Sequence, residues 1–149
     1  MRKQGILNAE LAYELARLGH FDSFVVCDMG FPIPNEAHVI DLALTRGVPG
    51  FMQTLKAICG EVVVQAITLM DAAPTANPRL DEKARAVFKR QDIAYVSFEE
   101  FRVLAAQAKF FIRTGEDAPC SNMIIVSASG ALSRVERYDI PMEELEMLA

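Results

Sequence analysis

Two uninterrupted apolar runs, Phe24–Cys27 and Met123–Val126, constrain the fold of this chain more than any other feature. Side chains alternate faces along a strand, so a strand that is apolar on both faces has to be covered on both. Such a strand belongs in the middle of a sheet, with helices packed above and below. A third stretch, Val62–Leu69, is β-branched and apolar and reads the same way. Further strands are expected at Ile93–Val96, at Phe110–Arg113 and at Val39–Leu44, the last interrupted by Asp41.

Helical segments fall between them. Asn8 suits an N-cap, and Leu11, Leu15 and Leu18 recur at helical spacing before a stop at Gly19. Pro49 suits the first turn of a helix reaching about Ile58. Leu80–Lys89 reads as an exposed amphipathic helix, and Ser97-Phe98-Glu99-Glu100 as a capping box opening a helix to about Ala108. Met29–Glu36, Asp71–Pro78 and Asp117–Ser121 read as loops. Strands alternating with helices define an α/β fold: a single three-layer domain whose central, mostly parallel sheet is flanked by helices. Residues 1–129 make this domain. Residues 130–149 are a polar C-terminal extension with a short acidic helix from Pro141 to about Met147. The extension covers a surface of the domain or reaches a neighbouring subunit.

At 149 residues the chain has room for one domain with a real core. Its hydrophobic share, 52%, is slightly high for a lone domain and fits surface buried between subunits. The net charge of −5 and the lack of any basic run argue against nucleic acid or an anionic membrane as partner. No apolar run approaches bilayer length. The N-terminal residues meet a polar-punctuated helix, so no signal peptide is expected. The three cysteines, Cys27, Cys59 and Cys120, follow no CxxC or metal spacing. Together these features point to a cytoplasmic protein with free thiols.

No phosphate loop and no GxSxG elbow is present, and His20 and His38 lie on separate elements without zinc spacing. Neither a metal nor a cofactor is expected. What remains is the stretch Gly19–Pro34, in which a helix end, His20, a short strand and Asp28 lead into a loop stiffened by Pro32 and Pro34. His20 and Asp28 flank the strand at element ends, where side chains reach ligands. Each also has a plainer reading. An imidazole past a helix C-terminus offsets the helix dipole, and an aspartate at a turn caps loop amides. With Asp41, Arg102, Glu116 and Asn122 they form a small polar set suited to a polyhydroxylated ligand. Arg102 reads equally as a solvated helix residue, Glu116 as an exposed turn residue and Asp41 as a strand-edge charge.

The sequence resembles the D-ribose pyranase/L-fucose mutarotase family of bacterial sugar-anomer isomerases. The resemblance begins at Gly5-Ile6-Leu7-Asn8 and Leu18-Gly19-His20 and is closest over Val25–Pro34. It continues through Ile40–Pro49 and Phe51-Met52-Gln53, then thins to Phe101, Ile112–Glu116 and Asn122–Ile125. It covers about residues 5 to 127 and is nearer the ribose branch. It implies a ribose-pyranase-like fold, catalysis by His20 and sugar binding by Asp28. The family's Tyr-x-Asn loop falls on Cys120-Ser121-Asn122, which keeps Asn122 and replaces the tyrosine by Cys120. A binding histidine of the ribose enzymes falls near Phe98, and a basic residue on Arg102. The resemblance further implies a ring-shaped homo-oligomer, a pentamer or a decamer of two stacked pentamers, with the sugar site between neighbouring subunits.

Two functions compete on this reading. The first is a cofactor-independent monosaccharide mutarotase or pyranase, an isomerase acting on a ribose- or fucose-like aldose. In it His20 serves as general acid/base at the ring oxygen, and Asp28 holds His20 or a sugar hydroxyl in register. The alternative is a non-catalytic oligomeric monosaccharide-binding or regulatory protein of the same fold, motivated by Phe98 and Cys120. A phosphorylated sugar is a third possibility, since Arg102 and Arg113 could meet a phosphate.

Overall fold

The computed structural model describes all 149 residues. Strand β1 (Ser23–Cys27) shows why its run is apolar throughout: Phe24, Val25, Val26 and Cys27 are all fully buried. Phe24 and Val26 enter the larger of two cores, and Val25 and Cys27 enter the smaller one on the opposite face. The sheet is completed by β2 (Val39–Asp41), β3 (Val64–Met70), β4 (Asp92–Val96), β5 (Phe111–Arg113) and β6 (Met123–Ser127). The spatial order is β2-β5-β1-β6-β3-β4. β6 alone is reversed: it pairs antiparallel with β1 and β3, while the remaining neighbours pair in parallel. The expected mostly parallel sheet is therefore present, with one antiparallel strand at its centre.

Helices cover both faces. α1 (Ala9–Ala16), α2 (Phe51–Cys59) and α4 (Pro78–Val87) contribute Leu11, Leu15, Phe51, Leu55, Ile58, Leu80 and Val87 to the larger core. α5 (Phe98–Ala105) lies across the other face and packs Phe101 and Ala105 on Val25, Cys27 and Phe111. The expected caps are present, with Asn8 accepting from the Leu11 amide at 2.9 Å and Ser97 from the Glu100 amide at 3.1 Å.

Several boundaries move for physical reasons. α1 ends at Ala16, and Gly19 belongs to a separate turn. β2 stops at Asp41, because the chain leaves the sheet for a hairpin in which Thr45 bridges Val48. Pro49 is not in the first turn of α2: it follows a cis Val48–Pro49 peptide bond, and Gly50 is the cap residue. The loop 71–78 contains a one-turn helix, α3 (Ala73–Ala76). α4 is less exposed than expected, since Leu80, Asp81, Ala84 and Val87 are buried.

The C-terminal residues form α6 (Leu132–Arg137), α7 (Met142–Leu145) and a closing 3₁₀ turn, Glu146–Leu148. Ile140, Leu145 and Leu148 join the larger core, and Leu148 is wholly inaccessible. Ion pairs from Glu144 to Arg90 (2.9 Å) and from Glu146 to Lys56 (2.8 Å) surround them. Exposed pairs of this kind contribute little, so the apolar contacts hold the segment down. Replacing Leu148 by Ala is expected to lower the unfolding free energy by about 2–5 kcal/mol. Urea denaturation checks this, and a midpoint equal to that of the parent chain would show that the segment is not integral to the core.

Candidate functional site

β1 ends at Cys27, level with the end of β5. The Thr114 amide and Thr114 Oγ1 both donate to the Cys27 carbonyl, at 3.0 and 2.8 Å. The chain then turns away from the sheet with Asp28 at the corner. Across the strand boundary β6 begins, and antiparallel pairing brings its leading residue beside that corner. Asn122 Nδ2 donates to Asp28 Oδ2 at 3.1 Å, and the Asp28 amide donates to Asn122 Oδ1 at 3.0 Å. The Gly30 amide donates to Asp28 Oδ1 at 3.0 Å. Burial pushes the Asp28 carboxyl above its usual range, and the hydrogen bonds from Gly30, Asn122, Phe31 and Ser121 oppose that rise.

The Asp28–Asn122 pair edges an open cavity of about 480 Å³, within the size range of small-molecule sites. Phe31, Met70, Phe98, Pro119 and Cys120 line it. It therefore offers a polar edge and an apolar wall. The Cys120 thiol is pushed up by burial and then by the Asp28 carboxylate, so it stays protonated at neutral pH. It packs as a weakly polar surface rather than a nucleophile.

The remaining polar residues brace this corner. Asp41 grips Arg113 Nη1 through both carboxylate oxygens, at 3.1 and 2.9 Å, and Arg113 Nε donates to the Met29 carbonyl at 3.2 Å. Arg113 thus braces the loop through Nη1 and Nε. Glu116 accepts from the Phe51 amide at the start of α2 (3.2 Å) and from the Asp117 and Ala118 amides (3.1 Å each). Gly115 is required between them: a Cβ there would lie 2.4 Å from the Thr45 carbonyl oxygen. Ser121 is buried and turned away from the cavity, its Oγ accepting from Asn77 Nδ2 at 3.0 Å. Asn77 also caps α4, accepting from the Leu80 amide at 3.2 Å. Arg102 is exposed on α5, its guanidinium 5.8 Å from the Phe98 ring centroid. It lines a neighbouring groove with Phe31, Pro32 and Val103 instead of the Asp28 cavity.

His20 lies elsewhere. It stands before β1, while Asp28 follows it, so a strand of five residues separates them, roughly 16 Å at about 3.3 Å per residue. Within one chain Asp28 does not hold His20, contrary to one of the two roles expected for it. The His20 turn is fastened to the far end of β6 instead. Ser127 Oγ donates to the Gly19 carbonyl at 2.6 Å, the Phe21 amide donates to the Ser127 carbonyl at 3.0 Å, and the Ser127 amide to the Asp22 carbonyl at 2.9 Å. The Ser129 amide donates to His20 Nδ1 at 3.1 Å. These bonds hold Phe21 at φ 67°, a left-handed conformation that an aromatic residue adopts only when its surroundings impose it. Ser127 and Ser129 were invisible as site residues in the sequence, because only β-pairing brings them to His20. No group of three or more His, Cys, Asp or Glu side chains stands together in a metal-holding arrangement.

The raised Asp28 carboxyl has a consequence for stability. The folded chain keeps this proton over a pH range in which the unfolded chain has lost it. Stability from this group is therefore greatest below the unfolded value, about pH 4, and falls as pH rises through the folded one. Relative to an Asp28→Asn variant, the parent chain should lose stability between about pH 4 and neutrality. Urea denaturation across that range checks the sign, and a relative gain by the parent chain would contradict it.

Comparison with known proteins bears on what this geometry is for. A model of the RbsD / FucU transport protein family matches residues 1–129. A D-ribose pyranase of Geobacillus thermodenitrificans is 46% identical over 127 residues, covering 85% of this chain and 96% of that protein. The solved structure of Bacillus subtilis RbsD complexed with D-ribose superimposes with a TM-score of 0.82 at 38% identity, covering 86% of this chain and 98% of that one. FucU from Bifidobacterium longum gives a TM-score of 0.70 at 27% identity, covering 83% and 94%. The family match spans the sheet, both of its helical layers, the Asp28 corner and the His20 turn, and the chain belongs to the RbsD / FucU family.

Proposed function

We propose that the chain is a cofactor-independent monosaccharide mutarotase or pyranase, interconverting anomers or the pyranose and furanose forms of a ribose- or fucose-like aldose. The observation that carries this reading is the reciprocal Asp28–Asn122 pair at the edge of an open cavity. The Asp28 carboxylate is fixed by Gly30 and Asn122 while staying half-buried at the cavity edge, where a sugar hydroxyl can reach it. Family membership supports it, since relatives carry the name D-ribose pyranase and one is solved with D-ribose. Ring opening breaks the bond between C1 and the ring oxygen. The anomeric hydroxyl loses a proton and the ring oxygen gains one. His20 is the residue assigned to the ring oxygen, where an imidazole N–H can reach the developing charge. Asp28 and Asn122 bind hydroxyls, while Phe98 and Cys120 face the less polar edge of the ring. Ser121 holds the loop, and Arg102 stands at the rim.

His20 and the Asp28 cavity sit at opposite ends of β1, so one chain does not assemble them. A homo-oligomeric ring, pentameric or decameric, supplies the missing half from a neighbour, and the exposed Leu44, Phe98, Val103 and Leu104 side chains suit such contacts. The working compartment is the cytoplasm. No helix is long and apolar enough to cross a membrane. The second reading, a monosaccharide-binding or regulatory protein without turnover, draws on the apolar Phe98 and Cys120 in the cavity wall.

Exchange spectroscopy of anomeric protons, with a panel of free aldoses and substoichiometric protein, separates the two. The enzyme accelerates exchange of at least one sugar, and His20→Ala reduces that acceleration by roughly 100-fold or more. Line broadening without accelerated exchange would establish the binding protein instead. Asn122→Ala is expected to raise KM and lower kcat/KM by about 10-fold or more, since it removes one hydrogen-bonding group and loosens Asp28. Unchanged kinetics in Asn122→Ala would remove the Asp28–Asn122 pair from the site.

A further inference from the structure

The His20 imidazole is held in one tautomer. Its Nδ1 accepts a hydrogen bond from the Ser129 backbone amide at 3.1 Å. An amide nitrogen only donates, so Nδ1 has to present a lone pair, and the ring proton sits on Nε2. An imidazolium in the same place would set two N–H groups against each other. The turn that carries the ring is itself fixed. Ser127 is buried and bridges the turn by four hydrogen bonds, and Phe21 is fixed at φ 67° beside the imidazole, their ring centroids 3.8 Å apart. Asp22, next in the turn, is tied to Lys109 at 2.7 Å and accepts from the Gly19 amide at 2.6 Å, so it does not compete for the imidazole.

We infer that His20 meets the sugar through Nε2 as a neutral hydrogen-bond donor, with Ser129 as the positioning residue that selects this tautomer. The inference rests on the proposed mutarotase reading and, within it, replaces proton transfer by His20 with hydrogen-bond donation to the ring oxygen. As the bond from C1 to the ring oxygen breaks, its electron pair passes to that oxygen, and the Nε2–H bond stabilises the charge that develops there. The anomeric hydroxyl releases its proton to solvent, and C1 becomes the aldehyde carbon. The ring oxygen then takes a proton from solvent, so the balance closes without an imidazolate. Ring closure follows the same steps in reverse. A neutral imidazole that polarises an oxygen in this manner has a precedent among other isomerases.

The chain contains only two histidines, which makes the tautomer directly observable. Magic-angle-spinning ¹⁵N NMR of the full-length, [¹⁵N]histidine-labelled protein is the experiment, with His38→Asn to assign the two rings. His38 is on the surface facing Glu10 and Glu14, far from this turn in sequence, so its loss leaves the His20 signals in place. The inference predicts an unprotonated Nδ1 and a protonated Nε2 on His20 at the pH where exchange is accelerated. Ser129→Pro deletes the amide donor. It is expected to mix the two tautomers and to lower kcat by about 10-fold with KM little changed. Ser129→Ala keeps the amide and should keep the Nε2–H signature. A proton on Nδ1, or an imidazolium at the working pH, would overturn the inference. If His20→Ala still abolished exchange in that case, the catalytic assignment would stand and only the donor role would fall. A wild-type protein that accelerates no sugar would remove the mutarotase reading, while the spectrum would still decide the tautomer.

Discussion

β6 runs against the other five strands of the sheet, and both halves of the candidate site depend on that reversal. Because it pairs antiparallel with β1, its first residues lie beside the end of β1 and its last residues beside the start. Asn122 can therefore exchange two hydrogen bonds with Asp28, and Ser127 can fasten the turn that carries His20. A parallel strand in the same position would bring its leading residues to the His20 end and leave Asp28 without its amide partner. The reversal also costs the sheet nothing in burial. Met123, Ile124 and Ile125 are buried like the β1 residues they pair with, which keeps the ladder dry and the two ends in fixed register.

Most of the polar residues near the Asp28 corner have structural partners. Asp41 holds Arg113, Arg113 holds the Met29 carbonyl, Glu116 holds three amides, and Ser121 meets Asn77. Ser121, the buried one among them, is tolerable only when satisfied in this manner. Asp28 is different: its carboxylate is internally bonded, yet half-buried at the edge of a cavity and raised in pKa by desolvation. A group of that kind is where recognition of a polar ligand is to be sought. Across the cavity the wall is apolar, from Phe31, Met70, Phe98 and Pro119. A sugar ring, with hydroxyls at its rim and C–H bonds on its faces, matches such a contrast.

The layered α/β fold was legible in the sequence because hydrophobic periodicity is a local signal. The runs at Phe24–Cys27 and Met123–Val126 and the caps at Asn8 and Ser97 all fell close to their observed places. Boundaries set by tertiary contacts were not legible. β2 ends short of the Thr45–Val48 hairpin, against which Gly115 packs, and Pro49 follows that hairpin and precedes α2. The tail reads as polar by composition, yet Ile140, Leu145 and Leu148 reach the core. At the site, Asp28 and Asn122 could be named from the family resemblance, and the structure brings them together. Strand direction was the missing information for His20. Two residues that flank one strand in sequence stand at opposite ends of it in space, and the amide that fixes the imidazole belongs to a segment more than 100 residues away.

In the proposed assembly the site is completed between two chains, with His20 from one and the Asp28–Asn122 pair from the other. Subunit complementation tests it most directly. His20→Ala and Asn122→Ala proteins, each impaired alone, are mixed, dissociated and reassembled, and anomer exchange is measured on the mixture. A site shared between neighbours predicts recovery toward about a quarter of parental activity at equal mixing, because random assembly pairs two intact halves at about one interface in four. Activity no higher than the average of the two separate variants would place both halves of the site in one chain and contradict the account.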